Sequence, residues 1–462
     1  MARKAQLGLA AALALTAWAC GGDPDARAGL SVPVTYDSLD NGLRVVLSED
    51  HTAPTATVAL YYDVGFRVEP EGRTGFAHLF EHMMFQGSEN LGPMEFVRMV
   101  QENGGVLNGS TRHDFTNYYE IVPAHTLERI LWAEADRMRG LRITEDRLAN
   151  QRDVVKNEVR VNVLNQPYGG FPWLDLPQVA FENWHNAHNF YGDFTDLDAA
   201  TLEDVQAFFD RYYAPNNAVL VVVGDFESER TMEWIRDYFG DIPRGPATER
   251  PDVSEPRQEA EKRETRTDPL ANRPAVALGY RMPERGSADY WAMGLLDQIL
   301  LQGDDAWLHQ ALVQRRGLTG SVSGGVNAQL GNLYNSGGPT LWTASLIHDP
   351  GVSTDSIVAV VDSVVERART DLVDPETLER ARTKARSALY DEIDAFFGFG
   401  LADLLASFAL FDDDPARVNE IDATFQDVTA EQLQRTAREY LRPTNRTILT
   451  LEPESTSEGG SR

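Results

Sequence analysis

The sequence repeats itself across half its length. Thr201-Leu-Glu-Asp-Val-Gln-Ala-Phe-Phe-Asp-Arg-Tyr-Tyr-Ala-Pro-Asn-Asn217 and Thr429-Ala-Glu-Gln-Leu-Gln-Arg-Thr-Ala-Arg-Glu-Tyr-Leu-Arg-Pro-Thr-Asn445 align at a constant offset of 228 positions, with Thr, Glu, Gln, Tyr, Pro and Asn identical in register. Each stretch reads as an amphipathic helix, a proline turn and the start of a strand. Such a repeat constrains the chain to two copies of one unit that mixes helix and strand, related by duplication. Chance similarity of two amphipathic helices is the alternative.

The remaining hydropathy pattern supports an α+β class with antiparallel-rich sheets packed with helices. Val34 to Tyr36 and Leu43 to Leu47 flank the turn signal Asp40-Asn41-Gly42, and Thr55 to Val64 and Phe115 to Val122 are further β-rich runs. Phe76 to Phe85 has helical apolar spacing. Thr144, followed by Glu145 and Asp146, starts a helical pattern that runs to about Asn165. From Gly240 to Asn272 the composition shifts to Pro, Glu, Arg, Asp and Thr, which marks a linker. Strands near Ala275 to Tyr280 and Arg446 to Leu451, and helices near Tyr290 to Leu301 and Ser353 to Thr370, follow it. The expected organisation is a first unit over 33–240, a linker over 241–272, a homologous unit over 273–455 and a tail over 456–462.

Charge limits the partners. With 71 acidic against 42 basic side chains the formal charge is −29, which excludes nucleic acid and a basic membrane-binding patch. The single cysteine, Cys20, excludes an intramolecular disulfide and a cysteine-based zinc site. Arg3-Lys4, an apolar stretch from Leu7 to Ala19 and then Cys20-Gly-Gly-Asp23 fit a signal peptide over 1–19 and a tether over 20–32. Ala19 before the sole cysteine resembles a bacterial lipoprotein processing site, which implies export to the periplasm or cell envelope with a lipid anchor at Cys20. Ordinary cleavage near Ala19 or Ala26 is the alternative, and it also exports the chain. No later run is apolar enough over roughly 20 residues to span a bilayer.

One motif carries chemistry. His78-Leu-Phe-Glu81-His82 lies inside a helical pattern, and the i, i+4 spacing puts both imidazoles on one face, where they suit a shared metal. Zinc with two His needs a third protein ligand, and the helix from Thr144 to Asn165 offers Glu158. Two neutral imidazoles and one carboxylate leave the metal net positive, so its water ionises near neutral pH. Glu81 is then placed to take that proton and deliver it to a leaving amine. A surface helix with a solvated His/Glu face is the alternative.

The order H-x-x-E-H is that of the inverzincins. Gly75-Phe-Ala-His-Leu-Phe-Glu-His-Met-Met-Phe-Gln-Gly87, with Glu158 in Arg152-Asp-Val-Val-Lys-Asn-Glu158, resembles the pitrilysin/insulinase family of inverted zinc metallopeptidases, including its bacterial processing-peptidase-like members. The resemblance continues through Leu39-Asp-Asn-Gly-Leu43, Asn108 to Tyr118 and Val221-Val-Val-Gly-Asp225. It implies two homologous α/β domains forming a clamshell around a chamber, with one zinc on the first domain only, held by His78, His82 and Glu158, and Glu81 as general base. It also implies that extended peptides add as a strand to the segment Asn108–Tyr118, with Asn108, Thr111 and Tyr118 as substrate-binding residues. Asn108 is equally readable as a turn residue after Gly104-Gly105.

Two positions depart from the family. Gln151 stands where a second Glu is common near the metal, so any tuning there is uncharged. In the segment Leu312 to Gly320, Val313 and Gly320 stand where an Arg and a Tyr that hold substrate would be, and neither donates a side-chain hydrogen bond. The expected function is a zinc endopeptidase on oligopeptides or unfolded segments, as the zinc-bearing half of a heterodimer whose partner carries the Arg/Tyr pair. A shifted alignment with Arg315 or Arg316 in that role would remove the need for a partner. A non-catalytic scaffold or peptide-binding subunit of the same fold is the reading from another class.

Overall fold

The computed structural model describes residues 29–454; the signal-peptide and Cys20 expectations and the tail lie outside the described residues. At the Asp40-Asn41-Gly42 turn, Gly42 takes φ +92°, and a Cβ there would meet Asn216 and Arg244 at 2.8 Å. The turn joins antiparallel β1 (Thr35–Ser38) and β2 (Arg44–Glu49). With β3 (Thr55–Tyr62), β4 (Val106–Thr111), β5 (Thr116–Pro123) and β6 (Ala218–Gly224) they form a six-stranded sheet in the order β1-β2-β6-β3-β5-β4. All neighbours are antiparallel except β2 and β6, which run parallel.

The second sheet repeats this plan. It holds β7 (Lys262–Asp268), β8 (Ala275–Arg281), β9 (Ser323–Val326), β10 (Leu341–Ile347) and β11 (Arg446–Pro453) in the order β7-β11-β8-β10-β9, again with one parallel pair, β7 with β11. Strand β7 therefore takes the place of β2. It also corrects the linker reading, since 262–268 belongs to the sheet. Its sequence, Lys-Arg-Glu-Thr-Arg-Thr-Asp, alternates in exposure as an edge strand and has no apolar residue to announce it.

The tether reading shifts too. Leu30, Val32 and Val34 pack against the hydrophobic cluster shared by the two halves, and the Val32 backbone exchanges hydrogen bonds with the Asn419 side chain of the second half at 2.6 and 3.0 Å.

The repeated residues do the same work in both halves. Thr201 and Thr429 cap the Leu202–Tyr212 and Ala430–Tyr440 helices by accepting from the backbone of Asp204 and Gln432. Pro215 and Pro443 each open a single 3₁₀ turn. Asn217 donates to Tyr212 O at 2.9 Å and Asp63 O at 3.2 Å; Asn445 donates to Tyr440 O at 2.7 Å and Arg281 O at 3.0 Å. Each asparagine ties a helix end to the strand beside its own, so both identity and function of the repeat are preserved.

Each half also lends a helix to the other. On β6, Leu220 and Val222 face their own half's helices, while Val219, Val221 and Val223 join the cluster built on the Phe399–Phe411 helix of the second half. Tyr61 there donates to Asp403 at 2.6 Å. In return the Asp175–Ala180 helix of the first half lays Leu176 and Ala180 against Ala275, Ala277, Leu449 and Leu451. Gly279 makes room for it, since a Cβ would sit 2.9 Å from Leu176. Sheets covered on both faces explain why these strands are continuously apolar.

Candidate metal centre

The helix bearing the motif is Phe76–Met83. It starts after Gly75 in the left-handed region, φ +83°, where no side chain of its own caps the free amides. Glu69 caps them instead, accepting from Gly75 N at 2.9 Å and Ala77 N at 2.7 Å. Burial pushes the Glu69 carboxyl up from its ordinary value, against the hydrogen bonds from His188 and these amides. Phe76, Leu79, Phe80 and Met83 anchor the helix in the core, with Phe80 stacked on Phe208 and Tyr213 at 5.0 Å each. The second element is the Glu145–Val159 helix, capped by Thr144 and held down by Leu148 and Val155, which closes in a wider turn over Arg160–Leu164.

These two helices bring the predicted ligands together. Glu158 Oε1 lies 3.6 Å from His78 Nε2, and Oε2 lies 3.1 Å from His82 Nε2. One ligand atom from each of the three residues lies within 4.8 Å of the others, the only such His/Cys/Asp/Glu group among the described residues. Zinc bonded to N and O at about 2.0–2.1 Å sets tetrahedral ligand atoms about 3.3 Å apart, so the observed separations fit the ion with little movement. The donor set, two imidazoles and a carboxylate with the imidazole faces at 90°, is that of a catalytic zinc site. The hydrogen bonds from His78 and His82 hold the Glu158 carboxyl well below the usual carboxylate range, against its burial. His78 is buried between Tyr191 and Phe190, and its Nδ1 has no hydrogen-bond partner.

Glu81 sits on the same helix beside edge strand β4, where Thr111 Oγ1 donates to Glu81 Oε2 at 2.8 Å. Gly109 allows the approach: a Cβ on it would lie 3.2 Å from Glu81 Cγ. Asn108 is exposed on β4, opposite Tyr119.

The other two residues expected at a bound peptide sit elsewhere. Tyr118 is wholly buried on β5 and donates to Phe80 O at 3.1 Å, because its position in the pleat faces the core. Thr111 is buried under Glu81 and serves that carboxylate. Gln151 donates to Asn150 at 2.9 Å rather than to the cluster. In the second half Val313 is partly buried and Gly320 exposed, while Arg315 and Arg316 line a shallow surface pocket with Trp307 and Arg367 that shares no residue with the cluster.

Sequence reasoning missed Glu69 altogether, and it named Thr111 as a substrate-binding residue rather than as the partner of Glu81. Glu69 precedes its helix by seven residues, outside the window of a local capping pattern. Thr111 lies 30 residues from Glu81 and becomes its partner only through the fold.

Two stretches of the chain match family models. Residues 44–168 match the sequence model described as insulinase (peptidase family M16), and residues 199–385 match the one described as peptidase M16 inactive domain. A zinc protease PqqE of Helicobacter pylori (strain ATCC 700392 / 26695) is 27% identical over 430 residues, covering 90% of this chain and 92% of that protein. A probable mitochondrial-processing peptidase subunit beta of Arabidopsis thaliana is 29% identical over 221 residues, 47% of this chain and 41% of that protein. Among solved structures, a protease from Helicobacter pylori superposes with a TM-score of 0.83 at 25% identity, over 92% of this chain and all of that one.

Proposed function

Because the chain belongs to the insulinase/pitrilysin (M16) family of peptidases, we propose that it is a zinc-dependent endopeptidase acting on oligopeptides or unfolded segments, with His78, His82 and Glu158 as zinc ligands. The observation that carries this reading is the convergence of three ligand atoms beside a carboxylate that is free to work as a base. When bound, zinc polarises the scissile carbonyl and acidifies a water. Thr111 fixes one oxygen of Glu81; the other takes the proton of the attacking water and returns it to the leaving nitrogen. Strand β4, at the sheet edge, offers its main chain to an extended peptide, and Asn108 lies exposed along it. Main-chain pairing of this kind tolerates many sequences.

The catalytic domain in this reading covers 33–240 and the non-catalytic one the second half, with the connection reduced to 241–261. Val313 and Gly320 leave the second half without the Arg and Tyr that would complete the site, so a homologous subunit supplies them in a heterodimer. The purified chain alone is then weakly active, and adding a homologue that carries the pair restores hydrolysis; full activity of the chain alone contradicts the heterodimer. The N-terminal 19 residues export the chain, and Cys20 carries the lipid anchor. No helix among the described residues is long and apolar enough to cross a membrane.

Glu81→Gln tests the chemistry. It keeps the zinc and lowers peptide hydrolysis by roughly 10²–10⁴-fold. Unchanged hydrolysis in a purified preparation would remove Glu81 from the mechanism.

A further inference from the structure

The helix that carries His78, Glu81 and His82 is too short to hold its own place. Its eight residues, Phe76–Met83, make about two turns, and isolated helices of that length are not stable in water. His78 stands in the first turn, so whatever fixes that turn also fixes His78. Glu69 and the segment 184–196 do so. Glu69 takes the amides of Gly75 and Ala77, one on each oxygen. On the segment, Phe190 and Tyr191 flank His78, and Asp196 accepts from Thr74 N at 3.1 Å and Thr74 Oγ1 at 2.6 Å. Gly192, at φ +75°, lets the segment run against the helix start, since a Cβ there would collide with Gly75 N.

His188 joins the two supports. It lies on the segment, its side chain is nearly as buried as that of Glu69, and its Nε2 is 3.4 Å from Glu69 Oε2. Its Nδ1 is 3.0 Å from Trp184 O, a carbonyl that only accepts, so Nδ1 carries a hydrogen. The Trp184 ring lies flat on the imidazole, 4.2 Å away at 11°, and fixes its plane. With Nδ1 committed, the contact between Nε2 and Oε2 is attractive only when a proton lies between them.

We propose that His188 and Glu69 share that proton and act as one positioning unit, which keeps both Glu69 oxygens accepting and so sets where His78 and Glu81 stand. The inference rests on the zinc reading of the site and adds two residues that reading does not use. Glu69 is wholly buried, and burial pushes its carboxyl up from its ordinary value. Alone, it would take a proton of its own, and one oxygen would then be a donor facing a helix amide. A hydrogen offered from His188 removes that conflict, and the first turn keeps its cap.

Metal binding, measured apart from turnover, isolates the claim. Zinc and cobalt affinities of the full mature chain are measured by competition with a chelating dye, beside the cobalt absorption spectrum and a thermal melt. His188→Leu fills the space but offers no hydrogen. Its zinc dissociation constant is expected to rise by about tenfold or more, and its cobalt bands to shift, as the ligands lose their fixed angles. In His188→Gln the amide nitrogen stands in for Nε2, and both affinity and spectrum return, the affinity to within about threefold of wild type. Glu69→Gln sets an amide donor against a helix N–H and repeats the leucine result. Combining it with His188→Leu adds no more than about threefold, because the pair acts as one.

Unchanged zinc affinity and cobalt spectrum in His188→Leu overturn the pairing and leave the zinc reading intact. Equal losses in His188→Leu and His188→Gln, or losses that multiply in the double variant, overturn it as well, since they mark packing rather than a shared proton. A wild-type chain that takes up neither metal overturns both.

Discussion

Glu81 is held by a single hydroxyl, and that contact separates positioning from metal binding. Thr111→Val removes the donor at 2.8 Å without touching a ligand atom. Zinc content should stay at its wild-type value while kcat falls by about tenfold to a hundredfold with little change in KM, as for the loss of one hydrogen bond to a charged group. An unchanged kcat would leave Thr111 a packing residue. At this scale His78, Glu81 and His82 are legible in the sequence because a four-residue helical spacing is a local signal. Glu158 is offered by its own helical pattern and singled out by the family resemblance, but the fold alone brings its helix to the motif. Tyr118 was misplaced because a motif position does not say which way a pleat points; paired with Leu60 on β3, it turns into the core.

Elements that pack within one half were easier to read than those that cross between halves. The Leu202–Tyr212 and Ala430–Tyr440 helices carry their own caps and an apolar stripe, and both appear where the repeat puts them. The Phe399–Phe411 helix gives no such stripe. It is apolar all round because it is wedged between the first sheet and its own half. Strand β7 was hidden for the opposite reason, being polar on both faces at a sheet edge.

The crossing elements should also matter energetically. Leu176→Ala leaves a void under β8 and β11 and is expected to cost about 2–5 kcal/mol in a denaturant titration. A loss below 1 kcal/mol would mean that the Asp175–Ala180 helix is not part of the second half's core.

The whole molecule should be most stable in mild acid. Burial lifts Asp63 and Asp297 to about 6 each, against Arg250 in the first case and neutral donors in the second. A carboxyl with a raised folded pKa costs stability when ionised, and that cost is relieved as pH falls through 6 toward the unfolded value near 4. Asp114 has the opposite sign. Burial alone would raise it, but Arg67 at 2.7 Å and the amides of Gly337 and Gly338 hold it well below the usual range. Its contribution is complete above about pH 4 and lost below it.

The melting temperature should therefore rise from pH 7 to about 5 and fall below about 4. Asp297→Asn should flatten the first limb. A wild-type profile that falls steadily from pH 7 would contradict the assignment. The Arg67–Asp114 pair also ties the first half to the 336–339 loop of the second, so Asp114→Asn should weaken that contact between the halves at neutral pH. The acid limb was invisible in the sequence, where nothing marks which of its many carboxylates are buried.

The central claim is that His78, His82 and Glu158 together hold zinc for chemistry at Glu81. Zinc content of the purified mature chain, measured beside a His82→Ala control of equal folded fraction, tests it most directly. The account predicts one zinc per wild-type chain and little in the control; equal zinc in both, or none in either, would contradict it.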